Sequence, residues 1–536
     1  MIPCAGNDDF TFDDDVPSAD GLQAQSALID FLERTLSTDG RCRRIDTHAA
    51  SVFLAGDRAW KLKRAVRFPY LDFSTSEFRR AALEAELRLN RRTAPEMYLA
   101  VHPIARTDIG FTIDGAGEPV DWILEMRRFP DNALLSDVAE RGELDSALLI
   151  RLADRIHLFH DQAEPIVRQS GAMDIAWVID GNADSLGGFG AVFGERRIAD
   201  LLAAQRNACA RHAGILDSRG RKGWVRHCHG DLHLANIALI DGDPVLFDCL
   251  EFDEQLSTTD TLYDLAFLLM DLWHRNLRAE ANIVFNRYID VSGDEDGVRL
   301  LALFVSLRAT VRAHVMAATA ERTASPEDAA VAKLYFELAE ATMRPGDAAL
   351  IAIGGLSGTG KSTVARAVGG DFGDAPGARI LRSDVLRKRL AGVPPEERLS
   401  PAFYSPFANR VVYDLLDDYA RYHLSYGRFV IADAVFGGDE ERLRIARVAV
   451  HARVPFVGCW LEASERRRLE RVERRSADAS DANSGVVKLQ SARHVPEPVG
   501  WHPIDADVPL PVVSAAVRAA VKQTLEEVPG AATTGA

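Results

Sequence analysis

Residues 355–362 follow the pattern G-x-x-x-x-G-K-[ST]. A loop of this kind binds phosphate with its backbone N–H groups, while its lysine reaches the terminal phosphates and its serine reaches Mg²⁺. It requires a strand before it and a helix after it, and here the apolar stretch 350–353 precedes it and the helical stretch 363–368 follows it. The pattern therefore predicts an α/β domain with a parallel, doubly wound sheet. The residues expected to bind nucleotide are Gly355, Leu356, Ser357, Gly358, Thr359, Gly360, Lys361 and Ser362.

A second phosphate-transfer pattern lies near the middle of the chain, where residues 229–236 read HGDLHLAN. Asp231 and Asn236 place a carboxylate and an amide in one tight loop, at the spacing that a kinase catalytic loop requires. We expect Asp231 to accept the proton of the acceptor hydroxyl and Asn236 to bind Mg²⁺. Asp248, which ends the apolar strand predicted at 245–247, would bind the metal that bridges the phosphates. Two separate ATP sites, each using Mg²⁺, are therefore predicted.

A kinase-type site also needs a lysine on a strand. Residues 51–54 and 59–63 flank a Gly-Asp turn and predict a β-hairpin whose second strand carries Lys61. We expect Lys61 to bind the phosphates of ATP. Lys63 lies two residues further on and faces the same side of the strand, so it stays an alternative.

The glutamate that pairs with such a lysine is predicted on a helix at residues 76–92. Glu86 falls between apolar residues of this helix, whereas Glu84 falls among charged ones. An unpaired carboxylate between apolar groups would be costly. We therefore expect Glu86, with Glu84 as the alternative, to complete the ATP-binding pair.

Two carboxylates complete the predicted P-loop site. Asp433 ends the strand predicted at 429–432 and would lie near the metal ion. Asp384 follows another predicted strand and begins a helix that also carries Arg387 and Lys388. We expect Asp384 to deprotonate the acceptor hydroxyl, and the two cations would suit an anionic group on the acceptor.

Arg471 and Arg475 are four residues apart in a predicted helix and so share one face. Two guanidinium groups placed in this way could close over one phosphate and stabilise its charge during transfer. An exposed basic helix is the alternative. We expect both arginines to act in catalysis as parts of a lid, together with Lys361.

Composition narrows the classes of partner. The formal net charge of −16 disfavours nucleic acid and favours small hydroxylated substrates. The six cysteines show no C-x-x-C spacing, which argues against a zinc site or a disulfide framework. No apolar run approaches the ~18 residues of a membrane span and no signal peptide is readable, so we expect a cytoplasmic protein without a membrane partner. The oligomeric state stays open.

The chain is too long for one hydrophobic core, because a typical domain holds ~150 residues. After Pro345-Gly346 the pattern changes from mainly helical to alternating strands and helices, which predicts a domain boundary. An acidic N-terminal stretch and an Ala- and Gly-rich C-terminal stretch are predicted to be tails. The predicted organisation is a tail at 1–20, a kinase-like domain at 21–345, a P-loop domain at 346–515 and a tail at 516–536.

The N-terminal motifs resemble those of the aminoglycoside phosphotransferase family over about residues 40–345. The resemblance rests on KLK at 61–63, the HGD loop at 229–236, FDCLEFD at 247–253 and YDLAFLLMD at 263–271. It implies a bilobed protein-kinase-like fold and ATP-dependent O-phosphorylation. The C-terminal part resembles P-loop small-molecule kinases of the gluconate kinase, shikimate kinase and zeta-toxin type, in a branch described as AAA-type predicted kinases.

The motifs and the resemblances together predict an α+β kinase-like domain fused to an α/β P-loop domain. Their combined activity would be that of a bifunctional ATP-dependent phosphotransferase, which modifies hydroxyl groups of small molecules at two separate sites. Two alternatives stay open. One is a regulatory protein with a catalytically silent module, and the other is a toxin-like kinase that acts on a nucleotide sugar or an RNA end.

Overall fold

The computed structural model describes residues 19–37, 42–47, 49–68, 71–108, 110–251, 254–474, 478–492 and 498–527. Of the predicted N-terminal tail, residues 1–18 lie outside this range, and Ala19 already begins a helix. The chain divides into two compact units. The first comprises Met1–Arg141 and His229–Thr258, and the second comprises Gly142–Cys228 and Thr259–Ala536.

The strands and helices of the described residues have the following bounds. The strands are β1 Arg43–Asp46, β2 Ala50–Ala55, β3 Arg58–Lys63, β4 Arg67–Phe68, β5 Leu71–Asp72, β6 Tyr98–Thr107, β7 Gly110–Ile113, β8 Glu118–Arg127, β9 Val225–His227, β10 Ile237–Ile240, β11 Asp243–Leu246, β12 Thr258–Asp260, β13 Leu350–Gly354, β14 Arg379–Arg382, β15 Val430–Asp433, β16 Phe456–Glu462 and β17 His502–Asp505. The α-helices are α1 Ala19–Leu36, α2 Ser76–Asn90, α3 Leu135–Glu140, α4 Ser146–Gln162, α5 Gly171–Leu186, α6 Gly190–Phe193, α7 Glu195–Arg221, α8 Glu254–Ser257, α9 Thr261–His274, α10 Arg278–Ser292, α11 Leu301–Thr323, α12 Pro326–Ala341, α13 Lys361–Val368, α14 Ser383–Leu390, α15 Pro406–Leu424, α16 Asp439–Ala452, α17 Glu465–Glu473, α18 Ser484–Ser491 and α19 Leu510–Glu527.

The first unit is built on a six-stranded antiparallel sheet in the order β1-β2-β3-β8-β6-β7. The hairpin predicted around residues 51–63 is present as β2 and β3, with Val52 opposite Lys61. Helix α2 and the sheet share an apolar core that includes Leu83 and Tyr98. The short hairpin β10-β11, which follows the HGD loop, packs against the same core. These contacts bring the predicted lysine strand, glutamate helix and catalytic loop into one unit.

The P-loop part of the second unit holds a five-stranded parallel sheet in the order β14-β15-β13-β16-β17. The central strand β13 is buried along its whole length and alternates its side chains between two layers. Ile351 and Ile353 pack with α13 and α19, whereas Leu350 and Ala352 pack with α15 and α16. This confirms the predicted α/β class with a parallel, doubly wound sheet. The P-loop leaves the carboxyl end of β13, the sheet edge at which such folds bind ligands.

The prediction of a C-terminal tail at 516–536 is wrong for residues 516–527, because these residues belong to helix α19. Val513, Val517 and Val521 of this helix are buried in the core of the parallel sheet. These valines recur every four residues and so form one apolar stripe on the helix. The alanine content of the segment alone does not reveal this stripe. Residues 528–536 lie outside the described part of the chain.

The second unit also contains the long helices α4, α5, α7 and α9 to α12. One stretch, Asp296–Thr323, is long and apolar enough by composition to cross a membrane. However, 67% of its most apolar window is buried inside the protein, as in the core helix of a folded domain. It is the one such stretch among the residues described above.

A buried polar cluster joins α10 and the segment after it to the P-loop sheet. The guanidinium of Arg379, at the start of β14, lies 2.8 Å from Asp290 and 2.7 Å from Glu295. It also donates a hydrogen bond of 2.8 Å to Asn286 Oδ1. His423 Nε2 lies 2.8 Å from the other oxygen of Glu295. The helical part and the P-loop part thus share one polar core, on both sides of the predicted domain boundary.

Candidate active sites

Lys61 and Lys63 both extend from β3 to Glu86 on α2. Nζ of Lys61 lies 2.7 Å from Glu86 Oε1, and Nζ of Lys63 lies 2.7 Å from Glu86 Oε2. Glu86 is fully buried, whereas Glu84 pairs with Arg80 on the exposed face of the helix. The structure therefore brings Lys61 and Glu86 together, and it places the alternative Lys63 on the same carboxylate.

The two lysines differ in their other partners. Lys61 lies 2.8 Å from Asp248 and its side chain is 14% exposed, whereas the buried Lys63 contacts Glu251. Burial opposes the charge of Lys61, but the carboxylates of Asp248 and Glu86 outweigh it and hold the pKa of Lys61 well above its usual value. Sequence reasoning did not find the contact between Lys63 and Glu251. This difference in burial and pairing suits Lys61 to reach a phosphate.

Asp248 occupies the left-handed backbone region, with a φ of +60°. Two hydrogen bonds hold this turn: the backbone N–H of Asp248 donates to Tyr98 Oη at 3.0 Å, and that of Cys249 donates to Asn90 Oδ1 at 2.8 Å. Desolvation alone would raise the pKa of Asp248, but the cation of Lys61 holds this pKa below its usual range. The sequence did not predict these roles of Tyr98 and Asn90, because the two residues are 150 and 159 positions away from the backbone N–H groups that they bind.

The HGD loop joins Asp231 and Asn236 directly. Nδ2 of Asn236 donates hydrogen bonds to Asp231 Oδ2 at 2.9 Å and to the Asp231 carbonyl at 3.0 Å. His229 is buried, and its Nε2 lies 2.9 Å from the carbonyl oxygen of Phe247, so this contact connects the loop to the residue just before Asp248. Lys61 lowers the pKa of Asp248, and the charge of Asp231 opposes this lowering in part, so the two carboxylates interact. With the amide of Asn236 they form an oxygen-rich set of the kind that fits Mg²⁺.

The P-loop of the second unit depends on glycine where α17 approaches it. Gly358 has a φ of +87°, and a Cβ at this position would lie 2.6 Å from the carbonyl oxygen of Arg468. Only glycine therefore permits this loop conformation and this approach together. Thr359 Oγ1 donates a hydrogen bond of 2.9 Å to the carbonyl of Leu356, which closes the loop on itself.

Lys361 and Ser362 begin α13 directly after the loop. Nζ of Lys361 donates to the carbonyl of Leu356 at 3.2 Å, and Ser362 Oγ donates to Asp433 Oδ2 at 2.5 Å. Asp433 reaches the loop because it ends β15, where it lies opposite Ile353 of the neighbouring parallel strand. A hydroxyl and a carboxylate at the foot of a phosphate loop fit the ligand preference of Mg²⁺.

Asp384 lies in the first turn of α14 and borders the same cavity as the P-loop. Burial raises the pKa of its carboxyl group, while Arg382 and a hydrogen bond with Ser480 oppose this in part. Arg382 is itself paired with Asp478 at 2.7 Å and lies 3.5 Å from Asp433. A carboxylate with a raised pKa beside the phosphate loop suits a base that takes a proton from a hydroxyl acceptor.

Arg471 extends from α17 to the P-loop. It donates hydrogen bonds to the carbonyl of Thr359 at 2.9 Å and to the carbonyl of Ala506 at 2.7 Å. Burial lowers the pKa of Arg471, which is half-buried, whereas Arg466 and Arg467 on the same helix are exposed. Arg475, the other predicted lid arginine, lies outside the described residues, and the pair stays a prediction.

A cavity of about 1130 Å³ adjoins the P-loop. Its lining includes both polar and apolar side chains that sequence reasoning missed, because they come from separate segments that share no spacing motif. These side chains are Tyr404, Asn409, Tyr413, Glu441, Val508, Leu510 and Val513.

Two stretches of the chain match known families. Residues 115–301 match the phosphotransferase enzyme family, and residues 350–497 match an AAA domain. The first match includes the HGD loop and Asp248 but begins after Lys61 and Glu86. The second match includes the whole P-loop.

The chain is also similar to several relatives and solved structures. Uncharacterized proteins of Mycobacterium tuberculosis and Mycobacterium bovis are 29% identical over 478 residues, which cover 87% of this chain and 92% of each relative. A choline/ethanolamine kinase family protein from Mesorhizobium loti is 14% identical with a TM-score of 0.37, over 59% of this chain and 95% of that one. A gluconokinase from Sinorhizobium meliloti is 19% identical with a TM-score of 0.24, over 34% of this chain and 98% of that one. The chain thus joins a segment that matches the phosphotransferase enzyme family to a P-loop segment that matches an AAA domain, as its motifs predicted.

Proposed function

We propose that the protein is a bifunctional ATP-dependent phosphotransferase that phosphorylates hydroxyl groups of small molecules at two separate sites. The observation that carries the proposal is that each compact unit holds its own groups for phosphate, metal and proton transfer. In the first unit these are Lys61, Glu86, Asp231, Asn236 and Asp248. In the second they are the P-loop, Asp384, Asp433 and Arg471. The two family matches support kinase-type chemistry in both parts.

At the first site, ATP with Mg²⁺ would supply the phosphoryl group. Lys61, held in place by Glu86, would contact the phosphate oxygens, and Asp248 with Asn236 would hold Mg²⁺, which would offset the charge of the phosphates. Asp231 would accept the proton of the acceptor hydroxyl while the hydroxyl oxygen bonds to the γ-phosphorus of ATP. The bond between that phosphorus and the β–γ bridging oxygen would break at the same time, so that ADP leaves. The hydrogen bonds from Asn236 keep this carboxylate oriented for that step.

At the second site, the N–H groups of the P-loop and the ammonium of Lys361 contact the phosphates. Ser362 and Asp433 would hold Mg²⁺, and Asp384 would accept the proton of the second acceptor hydroxyl. Arg471 spans the loop and the segment after β17, which places its charge against the phosphate site. The net charge of −16 disfavours polyanionic partners and so agrees with small-molecule substrates. We also propose that the protein is cytoplasmic.

ADP release by the full-length protein, supplied with ATP and a metabolite mixture, tests this proposal. Glu86→Gln should lower release from the first site because Lys61 loses a charged partner, whereas the matched control Glu84→Gln on the same helix should match the wild type. Lys361→Ala should lower release from the second site. If neither substitution lowers release, the phosphotransferase proposal fails. If only one does, the other module is regulatory.

A further inference from the structure

We propose that the side-chain amide of Gln490 binds the phosphates of ATP in the P-loop site. This inference rests on the nucleotide binding proposed for that site. Gln490 lies near the end of α18, is half-buried, and borders the cavity beside the P-loop. It is 133 residues away from the loop residue that it contacts, so the phosphate-loop motif does not include it.

Gln490 contacts the P-loop through one atom of its amide. The backbone N–H of Ser357 donates a hydrogen bond of 2.8 Å to Gln490 Oε1. Since a backbone N–H can only donate, the carbonyl oxygen of the amide must face the loop. The remaining NH₂ group of Gln490 carries two donors, and it has no hydrogen-bond partner among the residues that the structure describes. The amide therefore brings two available donors to the wall of the cavity.

Phosphate is the ligand that suits donors in this place. The backbone N–H groups of a phosphate loop point towards the phosphate oxygens. The bond to Gln490 takes the N–H of Ser357 out of this set, and the NH₂ group of the amide supplies two donors instead. Phosphate oxygens are charged acceptors, and hydrogen bonds to a charged acceptor are stronger than those between neutral groups. Gln490 would thus extend the phosphate-binding donors of the loop onto α18.

Contacts between α18 and α17 hold Gln490 in this position. Val487, one turn before Gln490 on α18, is fully buried. Next to Gln490, the hydroxyl of Ser491 accepts a hydrogen bond of 2.5 Å from Nη2 of Arg468, which belongs to α17. A donor that is already held in place loses little conformational freedom when a ligand binds, so more of its hydrogen-bond energy contributes to affinity. The position of Gln490 thus favours a direct contact with the nucleotide.

Two substitutions separate a phosphate contact from mere support of the loop. Gln490→Glu keeps an oxygen that accepts from Ser357 but replaces the NH₂ group by a second carboxylate oxygen, which repels phosphate. Gln490→Leu removes both contacts. Calorimetry with the Mg²⁺ complex of a non-hydrolysable ATP analogue, on full-length protein carrying Lys61→Ala, measures binding at the second site. We expect both substitutions to weaken this binding about 10- to 100-fold, whereas the exposed control Gln162→Glu on α4 should leave it unchanged.

The inference is overturned if Gln490→Glu binds the analogue as tightly as the unsubstituted residue does, because the amide would then only support the loop. It is also overturned if the protein with Lys61→Ala alone binds no analogue. ADP release with ATP and a metabolite mixture, measured on the same samples, separates the two proposals. Analogue binding that depends on Gln490, without any ADP release, would count against phosphotransfer and leave the phosphate contact in place.

Discussion

Replacing Glu295 by glutamine should strongly destabilise the second unit. The Glu295 carboxylate lies 2.7 Å from Arg379, 2.8 Å from Arg389 and 2.8 Å from His423. Removing one partner of a buried ion pair costs about 3–5 kcal/mol, because the remaining charge is left uncompensated. The amide keeps one carbonyl oxygen, and Asp290 still pairs with Arg379 at 2.8 Å. We therefore expect a loss near the lower end, about 3 kcal/mol.

Urea unfolding of the full-length protein, followed by far-ultraviolet circular dichroism, measures this loss as a shift of the midpoint at constant slope. Glu321→Gln changes an exposed side chain of α11 and serves as the matched control. It should alter the free energy of unfolding by less than about 0.5 kcal/mol. A loss below about 1 kcal/mol for Glu295→Gln would refute the reasoning that this cluster holds α10 on the parallel sheet.

The same substitution has a pH signature. Burial would raise the pKa of Glu295, but Arg379 and His423 outweigh it and hold this pKa well below its usual value. Such a carboxylate stabilises the fold above its unfolded pKa of about 4.3, and this stability is lost as the pH falls through the folded pKa. The difference in stability between the wild type and Glu295→Gln should therefore narrow below about pH 4. A difference that stays constant down to about pH 3 would contradict the assignment.

Three further substitutions test the two sites. Asp231→Asn should lower phosphotransfer at the first site by about 10²-fold or more while calorimetry still detects nucleotide, and an unchanged rate of ADP release would remove its role as base. Gly358→Ala should weaken nucleotide binding at the second site at least about tenfold, because the added Cβ would lie 2.6 Å from a backbone carbonyl. The control is Gly392→Ala, because Gly392 has a φ of +70° and a Cβ there would have no atom within 4 Å. Equal losses of nucleotide affinity in the two variants would contradict the argument from the contact with the carbonyl. Asp384→Asn should suppress acceptor phosphorylation about 10²- to 10⁴-fold. Because burial raises the pKa of Asp384, the wild-type rate should start to fall on acidification at a higher pH than it would with an ordinary carboxylate as base. A pH profile that falls only where an ordinary carboxylate is protonated would argue against Asp384 as the base.

The two phosphate loops were predictable because each places its chemistry in consecutive residues. Asp433 and Asp384 followed from the fold, since parallel strands bring their carboxyl ends to one edge of the sheet. The preference for Glu86 over Glu84 came from the helical period, which separates a buried face from a charged one. In each of these cases, motif spacing, strand order or helical period is enough to predict where the residue lies.

Contacts between distant segments could not be predicted in this way. A strand period of two places Lys61 and Lys63 on one face, but it cannot show that Glu251, 188 residues later, pairs with Lys63. Arg379 has its partner Glu295 at a distance of 84 residues, in a helical part that the sequence pattern assigned to another domain. Only the tertiary fold determines which of several buried charges neutralises another.

Calorimetric titration of the full-length protein with the Mg²⁺ complex of a non-hydrolysable ATP analogue tests the two-site proposal most directly. We expect two binding sites per chain in the wild type, with Lys61→Ala retaining the second site and Lys361→Ala retaining the first. A single site in the wild type, or the loss of both sites through either substitution, would contradict the proposal that each unit binds its own nucleotide.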